Sequence, residues 1–124
     1  MRKVVCTNDA PGVGHYSQAV KGGGLIFVSG QLALHPATRQ IIEGDARQQT
    51  QRALQNVAAI LKAAGSNLDK VVRCSVFLKN MNDFEVMNEV YGEVFGPHPP
   101  ARTTVEVARL PKDSLVEIDA IALD

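Results

Sequence analysis

The fold is decided by residues 71–107, "VVRCSVFLKNMNDFEVMNEVYGEVFGPHPPARTTVEV". Residues 71–79 alternate between apolar and other side chains, which is the period of a β-strand. From Asn82 or Asp83 onward, apolar residues recur every three or four positions, and this predicts a helix that ends at the prolines of "GPHPP". Residues 101–107 alternate again. A strand, a helix and a strand in succession predict a right-handed parallel crossover.

These periods also assign side chains to faces. The apolar side of the first strand consists of Val72, Cys74, Val76 and Leu78. The apolar stripe of the helix consists of Phe84, Met87, Tyr91, Val94 and Phe95. In the strand after the prolines, Arg102, Thr104 and Glu106 share one face, because side chains alternate along a strand.

Outward from this stretch, residues 45–64 predict another amphipathic helix, with Asp45 as the N-cap and Gly65 just past its end. Its stripe consists of Thr50, Ala53, Leu54, Val57, Ile60, Leu61 and Ala64. Further strands are predicted at residues 3–7, 15–20 and 25–34 and around Glu117. The fold class is therefore α+β, with a single sheet of about six strands and two helices packed on one face. The other face would be uncovered and partly apolar, which predicts self-association.

Length and composition limit the classes of function. The 124 residues fit one domain spanning residues 1–124, and the 45% hydrophobic content is that of a globular chain. The charges balance at 13 basic and 13 acidic residues, which argues against nucleic acid or an anionic membrane as the main partner. We expect a cytoplasmic protein, because no signal peptide or membrane-spanning run is visible. Cys6 and Cys74 are isolated, so no metal site is expected.

Arg102 and Glu117 are charged residues inside predicted strands. Both could simply be solvated, or Arg102 could grip a carboxylate through two hydrogen bonds while Glu117 handles a proton. Spacing alone leaves both interpretations open. The short loop at residues 110–114 predicts an antiparallel return, which would put the two residues at opposite ends of the sheet, roughly 20 Å apart. If both act on one small substrate, they must come from different subunits.

Five motifs carry a resemblance to a known family. They are "GHYSQAV" (14–20), "FVSGQLAL" (27–34), "LKAAG" (61–65), "NDFEVMNEVYGEVF" (82–95) and "PPARTTVEVARLPKDSLVEIDAIA" (99–122). In this order and spacing the chain resembles the reactive intermediate deaminase (RidA) family, also called the YjgF family, over about residues 8–122. The resemblance implies a chorismate-mutase-like fold and a homotrimer with active sites between subunits. It also implies hydrolysis of 2-iminobutanoate and 2-iminopropanoate to 2-keto acids and ammonia, which protects pyridoxal-phosphate enzymes, with no metal or organic cofactor.

The resemblance also implies roles for particular residues. Arg102 would grip the substrate carboxylate, Glu117 would position or deprotonate the attacking water, and Tyr16 would join them as a catalytic residue. The substrate-binding residues would be Ser29, Gly30, Asn88 and Thr104. The chain departs from the family twice, with His15 where a proline is usual and Thr104 where many members have cysteine.

Two rival functions follow from the same residues. A trimer that binds small carboxylates without turnover, or acts like a chaperone, would need Arg102 but not Glu117. A ribonuclease is disfavoured by the balanced charge and by the absence of a convergent histidine pair in the sequence.

Overall fold

The computed structural model describes residues 1–12 and 14–124. Its strands and helices alternate much as the sequence predicts, with the following bounds. In chain order they are β1 Lys3–Val5, β2 Ala19–Gly22, β3 Leu25–Gln31, α1 Ala46–Ala63, β4 Val71–Leu78, α2 Phe84–Phe95, β5 Ala101–Glu106 and β6 Val116–Leu123. Short 3₁₀ turns at Leu68–Lys70, Met81–Asp83 and Pro111–Asp113 lead into β4, α2 and β6.

All six strands form one sheet in the order β1-β2-β3-β6-β4-β5. Strand β6 lies between β3 and β4 and runs antiparallel to both, while β4 and β5 pair in parallel. The predicted parallel crossover through α2 is therefore confirmed. The second crossover, through α1, joins β3 to β4 across the width of β6, so those two strands are parallel without being neighbours.

Helix α1 forms as its sequence predicts. The Asp45 carboxylate accepts hydrogen bonds from the backbone N–H groups of Arg47 and Gln48, and the Gln48 side chain accepts from the Asp45 N–H, which completes a capping box. Gly65, just past the end, has φ +82°, a conformation that glycine adopts without steric cost. The whole predicted stripe of α1 is buried.

Helix α2 is placed correctly, but its stripe is wrong at one position. Met87, Val90 and Tyr91 are buried, whereas Val94 is 36% exposed. Val94 lies on the wall of an open groove between α1 and α2, next to Val90, so it does not reach the sheet. The buried stripe of α2 therefore includes Val90, which the sequence-based prediction left out, and excludes Val94.

Two strand predictions need correction. The segment 15–20 is not a strand until Ala19, because the Gln18 side chain turns inward and bonds the backbone of Thr7 and Ala10. Val72 is 41% exposed instead of facing the core, since the pairing of β4 with β6 shifts between Val71 and Arg73. That irregularity turns Val71 into the core in its place.

The core lies between the helices and one face of the sheet. Strand β6 contributes four inward side chains, Val116, Ile118, Ala120 and Ala122, which are at most 2% exposed. The opposite face, which we call the open face, carries exposed apolar side chains, namely Val4, Phe27, Val105 and Leu123. Over residues 1–12 and 14–124, neither helix combines the length and apolar character that crossing a bilayer requires. The fold class predicted from the sequence is confirmed, and self-association through the open face stays a prediction.

Candidate active site

The seven residues proposed for the site fall into two groups. Tyr16, Ser29, Gly30 and Glu117 surround a cavity at the open face of the sheet, which we call the Glu117 cavity. Arg102, Asn88 and Thr104 belong to a second group on the helix side, the Arg102 cluster, which also includes Phe84 and Tyr91. Each group is assembled by a different pair of elements.

Glu117 is the carboxylate of the first group. It stands on β6 opposite Phe77, with its side chain on the open face, and it is half-buried. Burial raises the pKa of the Glu117 carboxyl, and the nearby negative charge of Asp119 raises this pKa further. A carboxyl with a raised pKa is a stronger base once ionised, which suits a group that accepts a proton from water.

Gly30 is a glycine because of Glu117. A Cβ built on Gly30 would lie 2.7 Å from Oε2 and 2.8 Å from Cδ of Glu117, closer than real Cβ contacts allow. The pairing of β3 with β6 is irregular between Val28 and Gln31, so Gly30 lies in a bulge that receives the carboxylate. The "SGQ" motif therefore makes room for the glutamate against the backbone.

Ser29 fastens the loop that carries Tyr16. Its hydroxyl donates a 2.6 Å hydrogen bond to the Ser17 carbonyl, and its backbone N–H donates to the Gln18 carbonyl at 2.9 Å. The Tyr16 ring packs against Gly14, where φ is +109° and a Cβ would lie 3.0 Å from the ring. Ser29 thus lines the cavity while it holds Tyr16 at the cavity's edge.

The Glu117 cavity has a volume of about 470 Å³, within the range of small-molecule sites. Besides the residues above it is lined by Gly14, Leu32, Leu34, Pro111 and Lys112. Sequence reasoning named none of these five as site residues. Pro111 and Lys112 lie in the loop before β6, where Lys112 has φ +56°, and no local pattern places that loop beside β3.

Arg102 is the cation of the second group. Its Nη1 donates a 2.8 Å hydrogen bond to Oδ1 of Asn88 on α2. Its Cζ lies 4.6 Å from the centroid of the Tyr91 ring and 5.5 Å from that of Phe84. Phe84, Asn88 and Tyr91 follow one another at helical spacing on α2, so one stripe of that helix holds the guanidinium. Sequence reasoning had placed the two rings in the core only, and their common spacing with Asn88 was the signal that it overlooked.

Thr104 shares the face of Arg102, two residues along β5 and paired with Val76. Its Oγ1 is buried, and within the described residues it has no hydrogen-bond partner. Cys74, which pairs with Arg102 across the strands, is buried as well, and burial raises the pKa of its thiol to about 11. The thiol is therefore protonated at neutral pH and acts as packing, as its place in the sequence pattern predicts.

The two groups lie on opposite faces of the sheet. Arg102 is in register with Cys74 and Glu117 with Phe77, three positions further along β4. An odd offset turns the side chains to opposite faces. Three residues along β4 and two strand spacings across put the two backbones about 14 Å apart. The predicted separation of roughly 20 Å at opposite sheet ends is wrong, because the register of β5 and β6 on β4 leaves the two residues only three positions apart along the strand direction. Because their side chains point to opposite faces of the sheet, one chain cannot bring both residues to one small ligand.

Among the residues that the structure describes, no three His, Cys, Asp or Glu side chains converge as metal ligands would. What the arrangement offers is an anchored guanidinium on one face and a desolvated carboxylate in a cavity on the other. Fold and site together define a class, that of small α+β proteins with a guanidinium and a carboxylate on opposite faces of one sheet, groups whose chemistry suits anion binding and proton transfer.

Comparison with known proteins then identifies the family. The family model described as Endoribonuclease L-PSP matches residues 7–124. A RutC family protein from Pyrococcus horikoshii is 52% identical over 98% of this chain and 98% of its own length. The human 2-iminobutanoate/2-iminopropanoate deaminase is 42% identical, covering 99% of this chain and 90% of its own. The crystal structure of RidA from an Antarctic Psychrobacter superposes with a TM-score of 0.94 at 41% identity, covering 98% of this chain and 99% of the other. The chain belongs to the RidA family, also called the YjgF or L-PSP family.

Proposed function

We propose that this protein is a 2-imino acid deaminase, which hydrolyses 2-iminobutanoate and 2-iminopropanoate to the 2-keto acids and ammonia. The family membership and the deaminase name of the human relative support the reaction class. Such imines are short-lived electrophiles released by pyridoxal-phosphate enzymes, so the protein would protect those enzymes in the cytoplasm. The observation that carries the proposal is the Glu117 carboxylate, held with a raised pKa in a cavity where the opposite backbone is a glycine.

Arg102 would bind the substrate carboxylate. A planar guanidinium offers two parallel N–H groups to a carboxylate, which fixes the orientation of the bound acid as well as its position. Asn88 occupies Nη1, so the guanidinium is already oriented before the ligand arrives. The imine carbon next to the carboxylate then has a defined place in the site.

Glu117 would accept the proton of the attacking water. The water oxygen bonds to the imine carbon, the C=N π electrons move to nitrogen, and the carboxylate takes the water proton. That proton passes from Glu117 to the nitrogen, which gives the neutral carbinolamine. Glu117 then takes the hydroxyl proton and passes it to the amino nitrogen, the O–H electron pair forms the C=O bond of the keto acid, the C–N bond breaks and ammonia leaves. General base catalysis of this kind contributes about 10²–10⁴-fold, which suits a reaction that also proceeds slowly in water.

The active site would form between subunits of a homotrimer. Arg102 and Glu117 of one chain lie on opposite faces of its sheet, so a shared small substrate requires Arg102 from one copy and Glu117 from another. The apolar side chains exposed on the open face, such as Phe27 at 46%, support burial against neighbouring copies.

The experiment couples an amino-acid dehydratase to this protein and follows loss of the imine through competition with semicarbazide. We expect Arg102→Ala and Glu117→Gln each to abolish acceleration. Arg109→Ala, which removes an exposed guanidinium that pairs with Asp113, is the matched control and should stay active. Glu117→Gln should still bind a 2-keto acid. Binding by wild-type protein without turnover would instead favour the non-catalytic carboxylate binder.

Complementation tests the shared site directly. Arg102→Ala and Glu117→Gln subunits are unfolded and refolded together. An active site between two subunits is then intact only if the Glu117→Gln variant supplies its arginine and the Arg102→Ala variant supplies its glutamate. Random assembly restores about one site in four, so about 25% of wild-type activity should return. Mixtures with no more activity than either variant alone would contradict a site shared between subunits.

A further inference from the structure

The Arg102 guanidinium rests on the ring of Tyr91. Its Cζ is 4.6 Å from the ring centroid, closer than the 5.5 Å that separates it from the Phe84 centroid. Both separations are within the distance at which a cation is attracted to an aromatic face. Tyr91 itself is only 3% exposed, so its ring is fixed by the core, while Arg102 beside it is partly exposed.

We propose that Tyr91 is a positioning residue for the substrate arginine, whose ring holds the guanidinium flat so that its free edge faces the incoming carboxylate. The proposal rests on the proposed function in that the ligand is a small carboxylate. Tyr91 does not touch the substrate, and it acts through Arg102 alone.

Two contacts together define the orientation of the guanidinium. The Tyr91 ring restricts rotation out of the guanidinium plane, because the cation is attracted to the ring face. The hydrogen bond from Nη1 to Asn88 restricts rotation within that plane. An arginine side chain otherwise samples many rotamers, and ordering it on binding weakens affinity. Because the Tyr91 ring is already in place, the Arg102 side chain becomes ordered when the protein folds and not when the ligand binds.

Core packing alone does not account for Tyr91. Its hydroxyl is buried beside the Cys74 thiol, which is a weak hydrogen-bonding group, and no oxygen or nitrogen in the described part of the chain bonds it. A bond to a thiol offsets little of the cost of burying a hydroxyl, a cost that leucine or phenylalanine in this core would not incur. Leucine would lack the π face under Arg102, whereas phenylalanine would keep it. Comparison of these two substitutions therefore separates the role of the ring from the role of packing.

The experiment measures the Kd for 2-ketobutanoate by calorimetry, together with the Arg102 Nε–H resonance by NMR. Tyr91→Leu should weaken binding about 3- to 30-fold and raise KM similarly, with kcat changed less than about twofold, because a carboxylate grip is equal in ground and transition states. The Arg102 resonance should lose its ring-current shift. Tyr91→Phe should retain both the affinity and the shift. Val90→Ala, a buried truncation on the same helix that does not contact Arg102, should leave both unchanged.

Three outcomes would overturn the proposal: an unchanged Kd in Tyr91→Leu, an unmoved Arg102 resonance in that variant, or equal losses in Tyr91→Phe and Tyr91→Leu. If Tyr91→Leu does not fold, Tyr91→Met fills the space without a π face and carries the same expectations. If the wild type turns over no 2-imino acid, the proposed deamination fails, but the Kd and resonance comparisons still decide whether Tyr91 positions Arg102.

Discussion

Replacing Gly30 with alanine should lower kcat strongly while it changes the stability of the fold little. The new Cβ would lie 2.7 Å from Glu117 Oε2, and ordinary contact begins at 3.4 Å, so the carboxylate must move by about 0.7 Å. Misplacement of a catalytic group by about 1 Å can cost 10²-fold in rate, which predicts a fall in kcat of about 10- to 100-fold. The displaced atoms are the end of a flexible side chain, so the change in unfolding free energy should stay within about 1 kcal/mol.

The assay is imine hydrolysis at saturating substrate, with thermal unfolding in parallel. Gly22→Ala is the matched control, because an added Cβ there meets no atom within 4 Å and its φ is not positive. That variant should keep full activity. The effect of Gly30→Ala should vanish in a Glu117→Gln background, because both changes act on one carboxylate. Full activity of Gly30→Ala, or a loss that adds to that of Glu117→Gln, would refute the reasoning.

Four further predictions concern the same residues. The pKa of Glu117 is raised in the folded state, so ionisation of this carboxyl lowers the free energy of unfolding as pH rises. Glu117→Gln should therefore unfold at a higher temperature than wild type at pH 7.5. This difference should vanish below about pH 4, where the carboxyl is protonated in both folded and unfolded chains. Asp119→Asn should lower the pKa of Glu117 and shift the acid limb of the kcat/KM profile to lower pH, since the Asp119 charge helps to raise that pKa. Asn88→Ala removes the 2.8 Å bond to Arg102 and should raise KM about 2- to 10-fold with little change in kcat, measured by initial rates. Dilution until subunits separate should abolish activity per subunit, as followed by light scattering and turnover together; active monomers would contradict this.

The elements could be predicted because their signals are local. The stripe of α1, its Asp45 cap and the crossover through α2 depend on periods and capping residues that a short window contains. The errors arose where distant segments decide the outcome. Val72 turns outward because β4 shifts its pairing with β6. The segment before Ala19 does not form a strand, because the Gln18 side-chain amide donates hydrogen bonds to the carbonyls of Thr7 and Ala10.

Motifs could nominate the candidate site residues, but they could not predict how those residues are arranged. Alternation correctly put Arg102 and Thr104 on one face of a strand. Which face the helices cover, and that β4 separates Arg102 from Glu117, depend on strand order, which no local pattern encodes. The contact between Gly30 and Glu117 likewise joins two strands that only the folded sheet brings together.

Strand β6 occupies the middle of the sheet, yet the ribosome makes it after the other five strands. Until it emerges, β3 and β4 each expose an unpaired edge, and the two half-sheets are connected by the chain through α1 but not by strand pairing. Insertion of β6 completes the hydrogen bonding and delivers Glu117 beside Gly30 in the same event. A nascent chain of this protein therefore acquires its complete sheet and the contact of Glu117 with Gly30 together, once β6 has emerged.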